Sequence, residues 1–495
     1  MYQFDARNLS MVMDLYEMTM ANGYLGEHSD RVMVTFDVFY RNNPDNGGFA
    51  IFAGLEQVIE YIEHLHFAED DIAYLRSLNL FPEEFLHMLA NFRFTGDIDA
   101  FPEGTIMYPN EPVLTVHAPL VDAQLVETAL LTQINHQSLI ATKAQRIVHA
   151  AKGRAVADFG ARRAHNMDAA VYGARAAYIG GVASTATLLA GKMFGIPVTG
   201  TMAHSWVMYH QDEFTAFSRY AQAYPDAAVL LVDTYNVLHS GIPNAIRTAR
   251  EVLEPMGKRL RGVRIDSGDL AYLSKRARAM LDEEGLTDCT ISASNSLDEY
   301  TITSLIDQGG CIDSFGVGER LITARSEPVF GAVYKLVCVE HNGVSEPRIK
   351  ISETVEKITN PARKRVYRVY NKTGHAISDL ITLYEEEVDV SEPYRYVNPS
   401  KPWRSRSYMD VTVRELQKPV MRAGRRVAPL PGLQEIRSYV ARQLQDEIWE
   451  EEQRFDNPHL HKLVMSPAYY ETKMDLLYKH SEDCCVYDSS IRRLG

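Results

Sequence analysis

Cysteine is scarce in this 495-residue chain, and its five cysteines form no recognisable metal or redox motif. Cys289, Cys311 and Cys338 are scattered, Cys484 and Cys485 are adjacent, and no C-x-x-C occurs. Adjacent cysteines do not easily bridge each other, and an odd number suits a reducing compartment. The cysteine pattern therefore favours a cytoplasmic protein.

The chain also lacks a long apolar run and an excess of positive charge. Its longest uncharged run near the centre, Ala176–Gly191, has sixteen residues, many of them small, and is too short to span a bilayer. Charged residues near the N-terminus interrupt the apolar core that a signal peptide needs. A net charge of −14 argues against general binding to nucleic acid. We expect neither a membrane nor a nucleic acid as a partner.

The length exceeds what one hydrophobic core usually serves, so we expect several domains. Residues 1–118 mix helices and strands and predict an N-terminal α/β domain. In residues 119–340 a long helix is followed by alternating strands and helices, about seven strands from Val156–Gly160 to Tyr334–Val337. This pattern predicts an irregular β/α barrel. Residues 341–495 predict a C-terminal domain.

Residues 345–430 are rich in arginine and lysine although the whole chain is acidic. Such a segment is most often a solvated face. It could also raise the local concentration of a multiply charged phosphate ligand. The sequence leaves both interpretations open.

Polar side chains follow several of the predicted barrel strands. His204 comes after the apolar segment 196–198 and has the hydroxyls of Thr201 and Ser205 beside it. Parallel strands whose carboxyl ends carry polar side chains are how a β/α barrel forms an active site. His204 is the side chain there whose usual pKa suits proton transfer near neutrality. The alternative is a histidine that only satisfies local hydrogen bonds.

Two later strand ends, Ser292–Ser296 and Phe315–Arg320, are rich in small residues that let backbone amides approach an anion. Loops after the last strands are the usual phosphate site of a β/α barrel. They predict phosphate binding, and the alternative is a pair of tight turns.

Arg264 and Asp266 point to the same face of their predicted strand. They form either a structural ion pair or a site in which Arg264 meets an anionic substrate and Asp266 meets a ribose hydroxyl or a metal. Phe159 and Arg162 suit a flat anionic heterocycle, although a core phenylalanine beside surface arginines has the same spacing. No residues are assigned as metal ligands.

These residues stand in motifs that closely resemble those of the nicotinate phosphoribosyltransferases of the shorter bacterial branch. The resemblance is strong up to about residue 340 and weaker beyond it. Its motifs are Asp14–Met20, Phe36–Arg41, Phe159–Ala164, Gly200–Ser205, Val263–Leu270 and Phe315–Gly318.

The resemblance implies a type II phosphoribosyltransferase with an irregular barrel and active sites shared across a homodimer. Such enzymes join nicotinate to 5-phosphoribosyl 1-diphosphate, giving nicotinate mononucleotide and diphosphate, and couple the reaction to ATP hydrolysis. Mg²⁺ is expected with the phosphate substrates.

The resemblance also implies roles for particular residues. His204 would be phosphorylated by ATP, and Phe159 with Tyr16 of the partner subunit would sandwich the pyridine ring. Arg264 and Thr201 would hold the carboxylate of nicotinate. The other implied contacts are Asp266 with the ribose, Ser294, Asn295, Gly316, Gly318 and Glu319 with the 5-phosphate, Arg41 and Arg162 with the diphosphate, and Ser205 among the substrate-binding residues.

Relatives that prefer nicotinamide carry an acidic residue just before the histidine and another after the Arg-Arg motif. This chain has Ala203 and the uncharged stretch Gly181–Ser184 at those places. An acidic group there would repel a carboxylate, so its absence favours nicotinate. Two rival interpretations are a nicotinamide-specific enzyme and a catalytically silent sensor of phosphorylated sugars.

Overall fold

The computed structural model of the chain describes residues 7–352, 357–404 and 406–485, the last five without their side chains. The side chains of Cys484 and Cys485 therefore lie outside the described part. The chain forms two compact units. Unit 1 contains Met1–Ser138 and Val329–Gly495, and unit 2 contains Leu139–Pro328. The three-domain division remains a prediction.

The elements up to residue 150 are α1 (Leu15–Gly26), β1 (Met33–Phe39), β2 (Ala50–Ile51), α2 (Leu55–His64), α3 (Glu69–Ser77), α4 (Glu83–Ala90), β3 (Asp97–Ala100), β4 (Ile106–Met107), β5 (Leu114–Pro119), α5 (Leu120–Gln124) and α6 (Glu127–Ala150).

Strands and helices then alternate through unit 2 as β6 (Ala155–Asp158), α7 (Met167–Ile179), β7 (Ser184–Thr185), α8 (Leu188–Phe194), α9 (His204–Tyr209), α10 (Glu213–Ala223), β8 (Val229–Leu231), α11 (Ile242–Thr248), β9 (Gly262–Ile265), α12 (Leu270–Glu283), β10 (Thr290–Ser294), α13 (Glu299–Asp307), β11 (Ser314–Val317) and α14 (Glu319–Ile322).

The rest of the chain is mainly strand, with β12 (Val333–His341), β13 (Val344–Pro347), β14 (Lys364–Tyr370), β15 (Ala376–Leu383), β16 (Tyr394–Tyr396), β17 (Arg406–Tyr408), β18 (Thr412–Glu415), β19 (Lys418–Arg422), β20 (Arg425–Arg426), α15 (Leu433–Arg442), β21 (Leu463–Met465) and α16 (Pro467–Cys485). No helix within the described residues has the length and hydropathy that a membrane crossing needs.

The six strands of unit 2 form one parallel sheet in the order β7-β6-β11-β10-β9-β8. Helices that follow the strands begin at side chains that accept a free backbone N–H. Asn166 accepts from Ala169 at 2.8 Å before α7, and Asp298 accepts from Thr301 at 2.8 Å before α13. Short buried strands alternating with capped helices confirm the predicted α/β class.

The predicted seventh strand differs from the structure. Tyr334–Val337 belongs to β12, which pairs antiparallel with β1 in unit 1. A one-residue parallel bridge between Thr185 and Val198 extends the sheet of unit 2 beyond β7 instead. Within the described residues no ladder of hydrogen bonds joins this edge to β8. The irregular barrel is therefore not closed by backbone pairing.

In unit 1 a seven-stranded sheet has the order β13-β12-β1-β5-β3-β19-β20. Its central strand β1 is buried along almost its whole length. One face of β1 presents Val34, Phe36 and Val38 to the core, and Phe36 stacks on Tyr334 with ring centroids 4.6 Å apart. The other face carries Asp37, which accepts a hydrogen bond from the Thr115 hydroxyl at 2.7 Å.

The basic segment 345–430 is not simply a solvated face. Lys364 is buried and forms an ion pair with Asp37. Arg368 is fully buried, and its Nε and Nη2 donate to the carboxylate of Asp379 at 2.9 and 2.7 Å. Buried charges need such partners because they have lost their hydration.

Candidate active site

The two edges of the parallel sheet approach each other at the carboxyl ends of its strands. Gly200–His204 follows the bridge strand at one edge of the sheet. Its side chains nevertheless contact residues that follow β8 and β9 at the opposite edge, as the distances below show. Side chains from opposite edges of the open sheet therefore meet at the carboxyl ends of its strands.

His204 lies at the first position of α9, and its side chain is 40% exposed. Its Nδ1 is 3.1 Å from the Thr234 hydroxyl oxygen. Its Nε2 is 3.9 Å from Asp233 Oδ1 and 3.8 Å from Asp266 Oδ2. One ring nitrogen is therefore oriented by a hydroxyl, while the other is accessible and faces two carboxylates.

Asp233 is the buried member of this carboxylate pair, with a side chain 1% exposed. Its Oδ2 accepts hydrogen bonds from the backbone N–H of Asp266 at 3.1 Å and the Ser267 hydroxyl at 2.6 Å. Its Oδ1 has no hydrogen-bond partner and is the oxygen that faces His204. This buried oxygen is therefore available to a cation or to a hydrogen-bond donor.

Arg264 donates to the Thr201 hydroxyl at 2.6 Å and to the Met202 carbonyl at 3.2 Å. Among the described residues it forms no ion pair with Asp266, so the predicted alternative of a structural Arg264–Asp266 pair is wrong. Its Nε is buried without a hydrogen bond. Burial lowers the pKa of Arg264, while Asp266 and Asp233 act in the opposite direction. Neutral partners and a free donor leave this guanidinium able to accept an anion.

Phe159 follows β6 and lies against Gly316 on the neighbouring strand. A Cβ atom on Gly316 would come within 2.5 Å of the Phe159 ring, so only glycine leaves room for it. The ring centroid is 6.0 Å from the guanidinium carbon of Arg264. Asp158 supports the turn by accepting from the Gly160 N–H and the Thr185 hydroxyl, each at 2.8 Å. An aromatic face and a cation thus lie side by side.

The predicted phosphate loops also end next to this cluster. Ser294 is buried, and its hydroxyl donates to Asp266 Oδ1. Asn295 and Ser296 have φ values of 99° and 47°, so consecutive residues adopt the left-handed region that exposes backbone amides in a loop. Gly318 precedes the short helix α14, and a Cβ there would lie 3.1 Å from the Phe159 carbonyl oxygen. One loop thus exposes backbone amides, and the other passes close to the Phe159 backbone because Gly318 has no side chain.

The remaining predicted site residues are Ser205, Arg162, Glu319, Tyr16 and Arg41. Ser205 and Arg162 are exposed, and Glu319 forms an ion pair with Arg325 at 2.8 Å. Tyr16 and Arg41 belong to unit 1. Tyr16 is 42% exposed. The guanidinium carbon of Arg41 lies 5.7 Å from the centre of the Phe39 ring, and its Nε is buried and makes no hydrogen bond.

Asp233 and Thr234 were not predicted as functional residues. The sequence offered one signal, since both follow the apolar segment that forms β8 and so stand at a strand end like the others. The place of Asp233 and Thr234 in the site depends on their contacts with His204. His204 is about thirty residues earlier in the chain and becomes their neighbour only in the folded structure.

The acidic pair is compatible with a divalent cation only in part. Among the residues that the structure describes, no group of three or more His, Cys, Asp or Glu side chains is arranged to hold a metal ion. Mg²⁺ commonly uses one or two carboxylates and completes its octahedron with waters and substrate phosphates. Asp233 Oδ1, buried and unpartnered, and Asp266 fit that mode of binding.

Three family models match the chain along its length. They are the nicotinate phosphoribosyltransferase N-terminal domain over residues 11–135, the nicotinate phosphoribosyltransferase family over 154–374, and the nicotinate phosphoribosyltransferase C-terminal domain over 363–473. Together they span both units and include every predicted site residue.

Individual relatives agree with the family models. The chain is 44% identical to the nicotinate phosphoribosyltransferase of Bacillus subtilis over 97% of each chain. It is 46% identical to nicotinate phosphoribosyltransferase pncB2 of Mycobacterium tuberculosis over 75% of this chain and 77% of the relative. The crystal structure of human nicotinic acid phosphoribosyltransferase matches with a TM-score of 0.82 at 28% identity, covering 94% of this chain and 100% of the human one.

Proposed function

We propose, from the premise that this chain belongs to the nicotinate phosphoribosyltransferase family, that the cluster around His204 and Arg264 is its catalytic centre. The chain is a nicotinate phosphoribosyltransferase, which joins nicotinate to 5-phosphoribosyl 1-diphosphate and begins NAD synthesis from nicotinate.

Nicotinate is proposed to lie with its ring on Phe159 and its carboxylate on Arg264. The ring–guanidinium distance of 6.0 Å and the unbonded Nε of Arg264 support this placement, because a pyridine carboxylate needs an aromatic face and a nearby donor. The Thr201 hydroxyl, held by Arg264 at 2.6 Å, supplies a second polar contact. The uncharged Ala203 beside His204 adds no further acid that would repel the carboxylate.

The ribose and its phosphates are proposed to occupy the neighbouring strand ends. Asp266 would hold the ribose, and the loops at Ser294–Asn295 and Gly316–Gly318 the 5-phosphate, with Glu319 at the start of α14 beside it. The pyridine nitrogen then attacks C1 of the ribose, and diphosphate leaves with the electrons of the broken C–O bond. This displacement depends on charge placement more than on a protein nucleophile. Arg162 and Arg41 are proposed to face the departing diphosphate.

His204 is the residue proposed to couple the reaction to ATP hydrolysis. In the proposed tautomer the imidazole of His204 carries its proton on Nδ1 and donates it to the Thr234 hydroxyl oxygen. The lone pair of Nε2 is then free to attack the γ-phosphorus of ATP. ADP leaves, and water later hydrolyses the phosphohistidine to inorganic phosphate. Asp233 and Asp266 would hold Mg²⁺, which when bound neutralises phosphate charge near these carboxylates. Incubation with γ-labelled ATP should label the wild-type protein in an acid-labile form, and absence of label would contradict this role.

Nicotinate, rather than nicotinamide, is the proposed substrate. A catalytically silent sensor of phosphorylated sugars is the less favoured alternative. A sensor has no use for an accessible imidazole nitrogen that faces two carboxylates. Turnover with nicotinate and nicotinamide, measured side by side, separates the two enzyme interpretations.

A homodimer with shared active sites is proposed from the resemblance and from helix α1. Three apolar side chains on this helix, Leu15, Tyr16 and Met20, are 53%, 42% and 40% exposed. Apolar side chains grouped on one exposed helix support burial against another molecule. Tyr16 of the partner subunit would then cover the second face of the nicotinate ring.

Subunit mixing tests this arrangement. Tyr16→Ala and His204→Ala homodimers should each lack nicotinate-dependent ATP hydrolysis or retain little of it. After exchange, a mixed dimer holds one site with both defects and one with neither. About a quarter of wild-type ATPase activity is expected, because random exchange makes about half of the dimers mixed. No recovery after verified exchange would contradict a shared site.

Gly316→Ala tests the contact between Phe159 and Gly316. The new Cβ would meet the ring at 2.5 Å, so the ring must move or the strands must separate. Overpacking of this kind costs about 1–3 kcal/mol, and we expect a lower free energy of unfolding together with a raised KM for nicotinate.

Gly200→Ala is the matched control, because a Cβ there meets no atom within 4 Å and its φ is not positive. Chemical denaturation and steady-state kinetics measure both variants. Wild-type values for both quantities in Gly316→Ala would show that the ring does not rest on this strand.

A further inference from the structure

Unit 1 contains a basic cavity that no part of the proposed mechanism uses. Its volume is about 250 Å³, and its walls include strands β3, β5 and β19 and the start of β14. None of the residues predicted for the catalytic site lines it. Five of its lining side chains are cationic, namely Arg363, Lys364, Arg365, Lys418 and Arg422.

Only three of these five cations are balanced by a carboxylate. Lys364 pairs with Asp37, Arg422 with Asp99 at 2.6 Å, and Arg365 Nε lies 3.7 Å from Glu415 Oε1.

The other two, Arg363 and Lys418, form no ion pair with any carboxylate in the part of the chain that the structure describes. Arg422 also lies 3.9 Å from Asp97, so these five cations have four carboxylates around them, and the cavity keeps a net positive charge in a chain whose net charge is −14. Charges of one sign at a concave surface raise the local concentration of the opposite ion.

Arg363 and Arg365 stack on a tyrosine ring rather than extending into solvent. The guanidinium carbons of Arg363 and Arg365 lie 3.8 and 4.5 Å from the centre of the Tyr384 ring. Stacking on this ring restrains both guanidinium groups. Arg365 Nε is buried and makes no hydrogen bond. Two oriented guanidinium groups match the oxygens of a phosphoryl group.

The size of the cavity limits the ligand. Its volume is that of about eight water molecules in the liquid, so it admits a small oligoanion. Pockets that enclose a drug-sized ligand usually begin at about 300 Å³, so this cavity lies near the lower end of that range.

We propose that this cavity binds a phosphoryl oligoanion of the size of diphosphate, at a site separate from the catalytic centre. The ligand is either free inorganic diphosphate or the diphosphate end of a nucleotide whose remainder stays in solvent. Arg363 and Lys418, the two lining cations without an ion pair, supply the positive charge, and Arg365 Nε supplies a further donor.

Calorimetric titration of the full-length chain with inorganic diphosphate tests the proposal. Wild type should show two classes of site, because diphosphate is also a product of the proposed reaction. Arg41→Gln/Arg162→Gln should weaken the catalytic class only. Arg363→Gln/Lys418→Gln should weaken the other class at least about tenfold, because two charge-assisted contacts to the anion are lost. This class should also weaken as salt is raised.

The matched control is Lys401→Gln/Arg425→Gln, which removes two exposed cations of unit 1 outside the cavity. Equal affinities in the cavity variant and this control would overturn the proposal, as would a single class of site that only Arg41→Gln/Arg162→Gln weakens. If the double variant loses its circular-dichroism spectrum, Lys418→Glu takes its place, because the Lys418 side chain is exposed.

ADP distinguishes the two sources of the ligand. Displacement of diphosphate from the cavity class by ADP would support the nucleotide tail, and failure to displace it would support the free anion. The catalytic proposal is tested separately by nicotinate turnover, which Arg363→Gln/Lys418→Gln should retain in the absence of added diphosphate.

Discussion

Replacement of His204 by alanine is expected to abolish nicotinate-dependent ATP hydrolysis, with a loss of at least about a thousandfold, as when an essential nucleophile is removed. The reason is that the γ-phosphoryl group would have no acceptor, since the accessible Nε2 between Asp233 and Asp266 is gone. Synthesis of nicotinate mononucleotide should continue slowly without ATP, because cleavage of the ribose–diphosphate bond relies on other contacts. Both rates can be measured with labelled ATP and labelled nicotinate.

His210→Ala is the matched control for this variant. His210 lies at the other end of α9, with its Nδ1 2.8 Å from the Trp206 carbonyl oxygen, and should leave ATP coupling near the wild-type level. ATP hydrolysis that persists in His204→Ala and still depends on nicotinate would remove the phosphohistidine from the proposal. Loss of ATP-independent synthesis as well would mean that His204 also acts in the transfer step.

Arg264→Gln is expected to weaken nicotinate binding far more than nicotinamide binding. A charge-assisted contact is worth roughly 1.5–3 kcal/mol, which corresponds to about one to two orders of magnitude in affinity. Neutral nicotinamide cannot form that ion pair, so the preference for the acid should shrink by a similar factor. Equilibrium binding of both ligands measures this change directly.

Arg163→Gln provides the control, because Arg163 is an exposed arginine that follows β6 in the same unit. Arg264 makes its hydrogen bonds to Thr201 and Met202 rather than to Asp266, so no buried carboxylate is orphaned in Arg264→Gln. We therefore expect a small change in melting temperature. Equal weakening toward both ligands with a clearly lower melting temperature would show a structural role instead.

The sequence predicted the main elements of unit 2 because their signals are local. Short apolar runs followed by glycine, asparagine or aspartate mark a strand and the turn after it, and such runs became β6, β8, β9, β10 and β11. The wrong assignment was Tyr334–Val337, which has the same apolar character but pairs with β1. A strand's own residues do not specify which strand it pairs with.

The basic segment 345–430 likewise does not specify which residues its charged side chains pair with. Its composition is most often that of a solvated face, yet Lys364 and Arg368 are buried because Asp37 and Asp379 neutralise them inside unit 1. Asp37 precedes Lys364 by more than three hundred residues, so only the folded chain shows the pair.

By itself the sequence determined the α/β class, the family and the presence of His204, Arg264 and Asp266 at strand ends. It could do so because strand ends, capping residues and family motifs are contiguous in the chain. The tertiary structure alone decided that His204 has Thr234 and Asp233 as neighbours, and that Arg264 binds Thr201 instead of Asp266. These contacts join opposite edges of one curled sheet, and its curvature depends on the packing of all its strands and helices together.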